Sequence, residues 1–397
     1  MVVVKTTVCV VGGGPAGVVL GLLLARQGVE VVVLEKHADF LRDFRGDTVH
    51  PSTLNLLDEI GLGAALARRP GRPVDDLRVT FDDGTVRVAD FSRLPGRHRH
   101  VLFLPQWDFL DLLADAAAAF PSFTLLRSAE VVDVLRAGER VVGVRTADGR
   151  EVRARLTVAC DGRTSTVRER LGLRPQEFGA PMDVLWFRLS RRADEPAGLD
   201  MRVGAGGLML CIDRGDYFQC AYVIAKGGYD QVRADGLDAF RARIAARAPH
   251  LADRVGEVAS WDDVRLLTVR LNRLRRWSVP GALLIGDAAH AMSPIGGVGI
   301  NLAVQDAVAT ARILGPALAA GTLRDADLAA VERRRHFPTV VTQAAQRLAQ
   351  RRVVDPLLHT TGAVQVPAPM RVLDRTAWLQ RLAARAVGLG VRPEHLV

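Results

Sequence analysis

Lysine is almost missing. Of 53 basic residues only Lys5, Lys36 and Lys226 are lysines, and the other 50 are arginines. The formal net charge is +9 against 44 acidic residues, and the pI of about 10.2 would suit a polyanionic partner. The arginines, however, are scattered among acids, and their densest clusters, Arg333-Arg334-Arg335 and Arg351-Arg352, are short and sit in helix-like segments. A nucleic-acid footprint is a basic stripe interleaved with readout groups, so no nucleic-acid partner is expected. Cysteine is scarce too. Cys9, Cys160, Cys211 and Cys220 form no CxxC pair and no metal-ligand spacing, which excludes a disulfide framework and leaves no metal site to expect. They read as small buried apolar residues of a protein from the reducing cytoplasm. No apolar run approaches the roughly 18 residues of a membrane span. The first apolar stretch is broken by Lys5 and runs into a glycine loop, unlike a signal peptide. Disorder is excluded by 49% hydrophobic and 24% charged residues. The 397 residues are enough for one large domain or two interleaved ones.

What is present begins with strand, turn, helix, strand. Thr7 to Val11 reads as a buried strand, Gly12-Gly13-Gly14-Pro15-Ala16-Gly17 as a loop, Val18 to Gln27 as a helix ending at Gly28, and Glu30 to Glu35 as a second strand. Gly12, Gly14 and Gly17 make a G-x-G-x-x-G fingerprint in a βαβ context. Gly12 permits the tight turn, Gly14 lets backbone N–H groups approach a pyrophosphate, and Gly17 allows close helix–strand packing. The helix N-terminus favours the phosphate charge. Glu35 can accept both hydroxyls of an adenosine ribose, with Lys36 beside it. These features imply a dinucleotide and do not distinguish NAD from FAD.

Further along, residues 52–68 suggest one helix, residues 74–90 a hairpin turning at Asp82-Asp83-Gly84, and 107–119 a helix. Residues 130–158 read as a meander and 182–225 as glycine-rich antiparallel sheet. Helices are expected over 237–247, 300–314, 327–352 and 374–387, and 353–370 reads as a linker or extended crossing. Two more strand-to-turn motifs follow. One is Val158-Ala159-Cys160-Asp161-Gly162-Arg163-Thr164-Ser165-Thr166-Val167-Arg168. The other is Leu284-Ile285-Gly286-Asp287-Ala288-Ala289-His290, passing Pro294 and Gly296-Gly297 to Gly299-Ile300-Asn301. Arg45-Gly46-Asp47 lies upstream of both.

With these three motifs in this order, from residue 7 to about 315, the sequence resembles the class A FAD-dependent aromatic hydroxylases of the para-hydroxybenzoate hydroxylase fold. Ala159 departs from the glycine usual two residues before the second-motif aspartate. The resemblance implies an α/β, two-domain architecture. A Rossmann-like parallel sheet would bind FAD, an antiparallel sheet would be inserted for substrate, and helices would follow. The FAD-binding parts would be 1–70, 100–175 and 262–320, the substrate domain 71–99 and 176–261, and the C-terminal helical region 321–397.

It also implies roles. Glu35 would hold the AMP ribose, Arg45 the pyrophosphate or ribityl region, and Gln106 the ribityl chain. The Val131 backbone would meet the adenine, and Asp287, after Gly286, the ribityl hydroxyls. Asp161 is linked to FAD and to nicotinamide handling, and Pro294 would sit against the flavin face. Physics supports one further assignment. The glycine-rich entry through Gly297 leaves N–H groups of Gly299, Ile300 and Asn301 at a positive helix end, suited to the anion of reduced flavin. His290 reads as structural, because no acid partner is visible beside it.

The implied reaction uses NADPH or NADH as a transient electron donor. The reduced flavin takes up O2, and a C4a-hydroperoxide hydroxylates or epoxidises an electron-rich small molecule, with an aromatic or polycyclic one expected. Candidate pocket walls are Trp186, Arg188, Met209, Tyr217, Gln219 and Tyr222. Alternation groups Trp186 with Arg188 and Tyr217 with Gln219 but does not say which faces point inward. No catalytic acid or base is assigned. Alternatives are a reductase of isoprenoid double bonds and a non-redox binding protein on the same scaffold. A halogenase is disfavoured because the five tryptophans form no WxWxIP signature. The chain would act as a monomer or homodimer.

Overall fold

The structure is a computed structural model and describes residues 2–41, 48–195 and 198–396. Strand β1 (Val3–Val11) runs into the glycine loop and helix α1 (Pro15–Ala25). Proline in the first turn suits a helix start, and every α1 residue from Ala16 to Ala25 is buried. A helix apolar on all sides belongs inside a core. Gly28, at φ +74°, stops it. The chain returns through β2 (Val31–Leu34).

Helix α2 (Pro51–Glu59) ends earlier than the sequence suggests. Gly61 adopts φ +81°, and only a short turn, Gly63–Leu66, follows. Strands β3 (Asp76–Phe81) and β4 (Gly84–Asp90) form the expected hairpin. Helix α3 (Gln106–Ala118) leads to β5 (Phe123–Leu126). Strands β6 (Val131–Ala137), β7 (Arg140–Thr146) and β8 (Glu151–Ala159) are the meander, and β8 also enters the parallel sheet beside β1.

Strands β9 (Met182–Ser190), β10 (Leu199–Gly204), β11 (Gly207–Asp213) and β12 (Tyr217–Ala225) are antiparallel, and α4 (Leu237–Arg247) covers them. With β3, β4 and β13 (Arg265–Leu267) they make a seven-stranded sheet in the order β13-β9-β12-β11-β10-β3-β4. β13 lies just past the expected end of the inserted segment. Strand β14 (Ala282–Leu284) returns to the first sheet, followed by α5 (Gly299–Ala319) and α6 (Asp325–Ala349). Helix α6 continues into a π-helical turn at Gln350–Val354.

A helical turn, Asp355–Leu358, follows within the stretch expected to be a linker, and only the chain beyond it crosses the β3–β4 hairpin without regular secondary structure. The N–H groups of Val364 and Val366 donate to Asp82 and Asp83 at 2.7 Å each. Thr376 divides the last expected helix into α7 (Ala368–Arg375) and α8 (Ala377–Gly388). All four cysteines are buried and unpaired. Among the described residues no helix is long and apolar enough to cross a membrane.

Candidate active site

The parallel part of the first sheet has the order β14-β8-β1-β2-β5. The three motifs follow β1, β8 and β14, which are adjacent. Val11, Ala159 and Leu284 lie side by side at the same edge. Ligands bind open α/β sheets at the carboxyl ends of the strands, so hydrogen-bonding register brings together loops that follow Val11, Ala159 and Leu284, with neighbouring strands about 5 Å apart.

The first loop has little room on one side and open space on the other. A Cβ on Gly12 would lie 2.5 Å from the Cys160 carbonyl oxygen, and one on Gly17 would lie 1.9 Å from that of Gly12. A Cβ on Gly14 would meet nothing within 4 Å. Only glycine fits at the first two positions, while Gly14 faces the side where a pyrophosphate can approach. Helix α1 starts there with no side-chain cap, so its first N–H groups remain available to an anion. Glu35 is buried at the end of β2 and accepts from Gly13 N–H and His37 N–H at 3.0 Å each. Lys36 is exposed, Gln106 opens α3, and Val131 begins β6. Arg45 lies outside the described residues.

Asp161 accepts from Val167 N–H at 3.1 Å through Oδ2, while its Oδ1 is buried without a partner. Burial raises its pKa above the ordinary carboxylate value, against the pull of hydrogen bonds from Ser165 and Val167. Arg168, which no role assigned from sequence included, ties two motifs together. Its Nη1 donates to Ala288 O at 2.9 Å and its Nη2 to Arg163 O. Arg163 Nε in turn donates to Asp287 Oδ2 at 3.1 Å.

Helix α5 also begins without a side-chain cap, after Gly296 and Gly297 at φ +77° and +63°. Its Asn301 side chain does not face solvent. Asn301 Oδ1 accepts from Ser52 Oγ at 2.6 Å and Thr53 Oγ1 at 3.0 Å, fixing α5 to α2. The Gly297 carbonyl accepts from Thr48 Oγ1 at 3.0 Å and faces His50 Nε2 at 3.1 Å. His290 does have an acid partner, contrary to the sequence reading. Its Nε2 lies 2.6 Å from Asp306 Oδ2, which also accepts from Gly286 N–H at 3.0 Å. Asp306 stands on α5, sixteen residues on, and no local motif signals the contact. His290 is buried, with its ring centroid 4.9 Å from that of Trp277, so a structural role still describes it.

The glycine loops, the uncapped helix starts, Glu35 and the orphaned Asp161 oxygen suit an extended dinucleotide. Residues 5–347 match the family model described as FAD binding domain. The chain belongs to that FAD-binding family. Over 98% of this chain and 94% of the other, the flavoprotein is 36% identical to the 6-methylpretetramide 4-monooxygenase of Streptomyces rimosus. It is 30% identical to the rifampicin monooxygenase of Streptomyces venezuelae, over 76% of this chain and 62% of that one. Among solved structures, the OxyS anhydrotetracycline hydroxylase of Streptomyces rimosus superposes with a TM-score of 0.74 at 25% identity, covering 98% of this chain and 77% of that one. The protein is an FAD-dependent monooxygenase, an oxidoreductase with NAD(P)H as the electron donor typical of its family.

The antiparallel sheet of this flavoprotein sorts the pocket candidates. Register puts Trp186 opposite Ala221 and Arg188 opposite Gln219. Trp186 belongs to the same apolar cluster as Leu208, Leu210, Val223 and Ile295, the residue after Pro294. Trp186, Arg188, Tyr217 and Gln219 therefore share the face opposite the one that α4 covers. Met209 and Tyr222 lie on the other face, buried against Phe240 and Ile244 of α4, with the Tyr222 and Phe240 ring centroids 5.7 Å apart. They are core residues of the outer layer, not pocket walls. Arg188 lies over the Tyr217 ring at 4.8 Å.

Proposed function

We propose that this monooxygenase hydroxylates a fused, electron-rich polycyclic phenol or enol, the class to which the pretetramide and anhydrotetracycline named by its relatives belong. The observation that carries this reading is the inner face of the seven-stranded sheet. Trp186, Leu199, Leu210 and Ile212 are its apolar side chains, and Arg188, Tyr217 and Gln219 its polar ones. Such a face holds a flat apolar ligand, and a small number of polar groups fix its orientation.

In this reading the loop Gly12, Gly14, Pro15, Ala16, Gly17 and the α1 start hold the pyrophosphate, and Glu35 the ribose. Asp161 and the Gly286-Asp287 turn hold the middle of the cofactor. The N–H groups of Gly299, Ile300 and Asn301 face the flavin's pyrimidine edge, and Pro294 bounds the substrate side. Bound FAD supplies hydride acceptance from NADPH or NADH and activation of O2, while the chain aims the substrate carbon and excludes water. The balance is one substrate C–H, O2, NAD(P)H and a proton giving C–OH, water and NAD(P)+. The division into FAD-binding, substrate and C-terminal parts, the cytoplasmic location and the monomer or homodimer belong to the same proposal.

The test uses the purified yellow holoprotein with a hydroxylated naphthacene as probe, following NAD(P)H and O2 consumption and product mass. A product heavier by one oxygen atom is expected, and Asp287→Ala should lower FAD occupancy. NAD(P)H consumption without O2 consumption would make it a reductase, and a colourless protein that binds no added FAD would defeat the reading.

A further inference from the structure

The loop Ala291–Ile295 contains Pro294 and has no regular secondary structure up to that residue. Proline has no N–H, so such a loop has few means of holding its own shape. Ala291 pairs with Asn272 through both its N–H and its carbonyl, and Ile295 N–H donates to Ser293 Oγ; further polar groups of the loop are held from α6 and the turn that follows it. Three glutamines, Gln343, Gln346 and Gln350, stand at i, i+3 and i+7, hence on one face of the helix, and are 1%, 5% and 2% exposed. Gln343 Nε2 donates to Ala291 O at 3.2 Å and to Asn272 O at 2.8 Å, and its Oε1 accepts from Arg273 at 2.7 Å. Gln346 Oε1 accepts from Ser293 N–H at 3.1 Å. Its Nε2 donates to Ser293 O and to Ile295 O at 2.9 Å each, so one amide spans the proline. Gln350 Nε2 donates to Ser293 Oγ at 3.0 Å. Ser293 is thus held by its N–H, its carbonyl and its hydroxyl, all from one helix face.

Leucines could fill the same volume at lower desolvation cost. Three buried amides that read the backbone of one loop fix its position in a way apolar packing does not. The helix also widens into its π-turn at Gln350, a distortion frequent at functional sites.

We propose that Gln343, Gln346 and Gln350 are positioning residues of the monooxygenase, setting where the Pro294 loop stands beside the bound flavin. The inference rests on the reading that this loop faces the flavin ring. The glutamines act on the loop through Ala291, Ser293 and Ile295. Their removal moves the loop and leaves the FAD-holding motifs in place.

The experiment compares holoprotein variants Gln346→Leu, Gln350→Met and Pro294→Ala with the wild type. It reads FAD affinity, visible circular dichroism of the bound flavin, and hydrogen peroxide released per NAD(P)H oxidised. FAD affinity of the two glutamine variants should stay within about twofold, because the Gly12–Gly17 loop and Glu35 make no contact with these glutamines and keep their hold on the other half of the dinucleotide. Flavin dichroism should change in Gln346→Leu in the same direction as in Pro294→Ala. Peroxide yield with the naphthacene probe should rise severalfold, since a misplacement of about 1 Å costs up to about 100-fold in productive geometry. Gln350→Met loses a single hydrogen bond, folds more readily, and should show the same change at smaller size. Should Pro294→Ala alter the dichroism while both glutamine variants match the wild type, the proposal is overturned. Should Pro294→Ala leave the dichroism untouched, the placement of the loop beside the flavin fails first, and the inference falls with it.

Discussion

His50 has each ring nitrogen facing a carbonyl oxygen, Nδ1 at 2.8 Å from Val387 O and Nε2 at 3.1 Å from Gly297 O. A neutral imidazole donates only once, so one contact is always unsatisfied unless the ring is charged. Burial opposes the charge and wins, lowering the pKa from 6.5 to about 4 despite both carbonyls. The folded state then binds this proton less readily than the unfolded chain. The stabilisation is complete above pH about 6.5 and is lost as pH falls toward 4, a loss of roughly 3 kcal/mol. Melting curves of wild type and His50→Gln over that window test the sign. The variant should have the flatter pH dependence, and parallel curves would show that His50 does not titrate there. Gln219 raises a different question. Its Oε1 accepts from Arg214 at 3.2 and 3.1 Å, which fixes the amide orientation, yet its Nε2 is buried with no acceptor. An unpaired buried donor costs about 1–3 kcal/mol. A carbonyl or phenolate oxygen of the substrate would relieve that cost. Gln219→Met should therefore raise KM for the naphthacene probe about tenfold while leaving kcat and the melting temperature close to wild type. An unchanged KM would reduce Gln219 to a packing residue.

At the scale of elements, the α5 start is fixed by Asn301 accepting from two hydroxyls of α2, Ser52 and Thr53, both buried. Asn301→Leu leaves those hydroxyls without this acceptor and should lower stability by about 2 kcal/mol. It should also lower the midpoint potential of the bound flavin, because a displaced helix N-terminus stabilises the reduced anion less. A fall in stability with no change in potential would leave the tie purely structural. The elements show which parts of the site could be read from sequence. Strand, glycine turn and helix recur at Gly12, Asp161 and Gly286, and each announces itself through local periodicity and turn chemistry. Register then brings them together, as parallel strands must. Alternation in β9 and β12 identified side chains that share a face, but a period of two is silent on which face lies inward. Met209 and Tyr222 were misplaced for that reason, since α4 covers their side. Asp306 beside His290 and the glutamines behind Ser293 lie on helices whose inward faces look like ordinary amphipathic patterns. Only the packing reveals that they hold the chain at Gly286, His290 and Ser293.

For the whole molecule, several of the many arginines form internal connections. Glu394, three residues from the end of the sequence, is 1% exposed. It meets Arg312 at 2.8 Å, Arg334 at 2.7 Å and Arg335 at 3.2 Å. Arg335 continues to Asp306 at 2.9 Å, and Asp306 to His290 and the Gly286 N–H. The C-terminal segment is thereby connected to the turn that carries Asp287. The pKa of Asp306 shows the balance: burial pushes it up, but His290 and Arg335 outweigh burial and hold it below the ordinary carboxylate value. Buried ion pairs add little over apolar replacements, whereas removing one member leaves an uncompensated charge at about 3–5 kcal/mol. Arg312 and Arg334 are partly exposed and can turn to water, but Arg335 is 1% exposed and cannot. Glu394→Ala should therefore destabilise the protein by a few kcal/mol, on the order of 3, and weaken FAD retention, although residue 394 lies on the last stretch of chain. Replacing the pair together, Glu394→Ala with Arg335→Met, should recover part of the loss, because no charge is then stranded at that end of the network. If the single variant kept wild-type stability and FAD occupancy, the network from Glu394 to Asp306 would be dispensable to the Gly286-Asp287 turn.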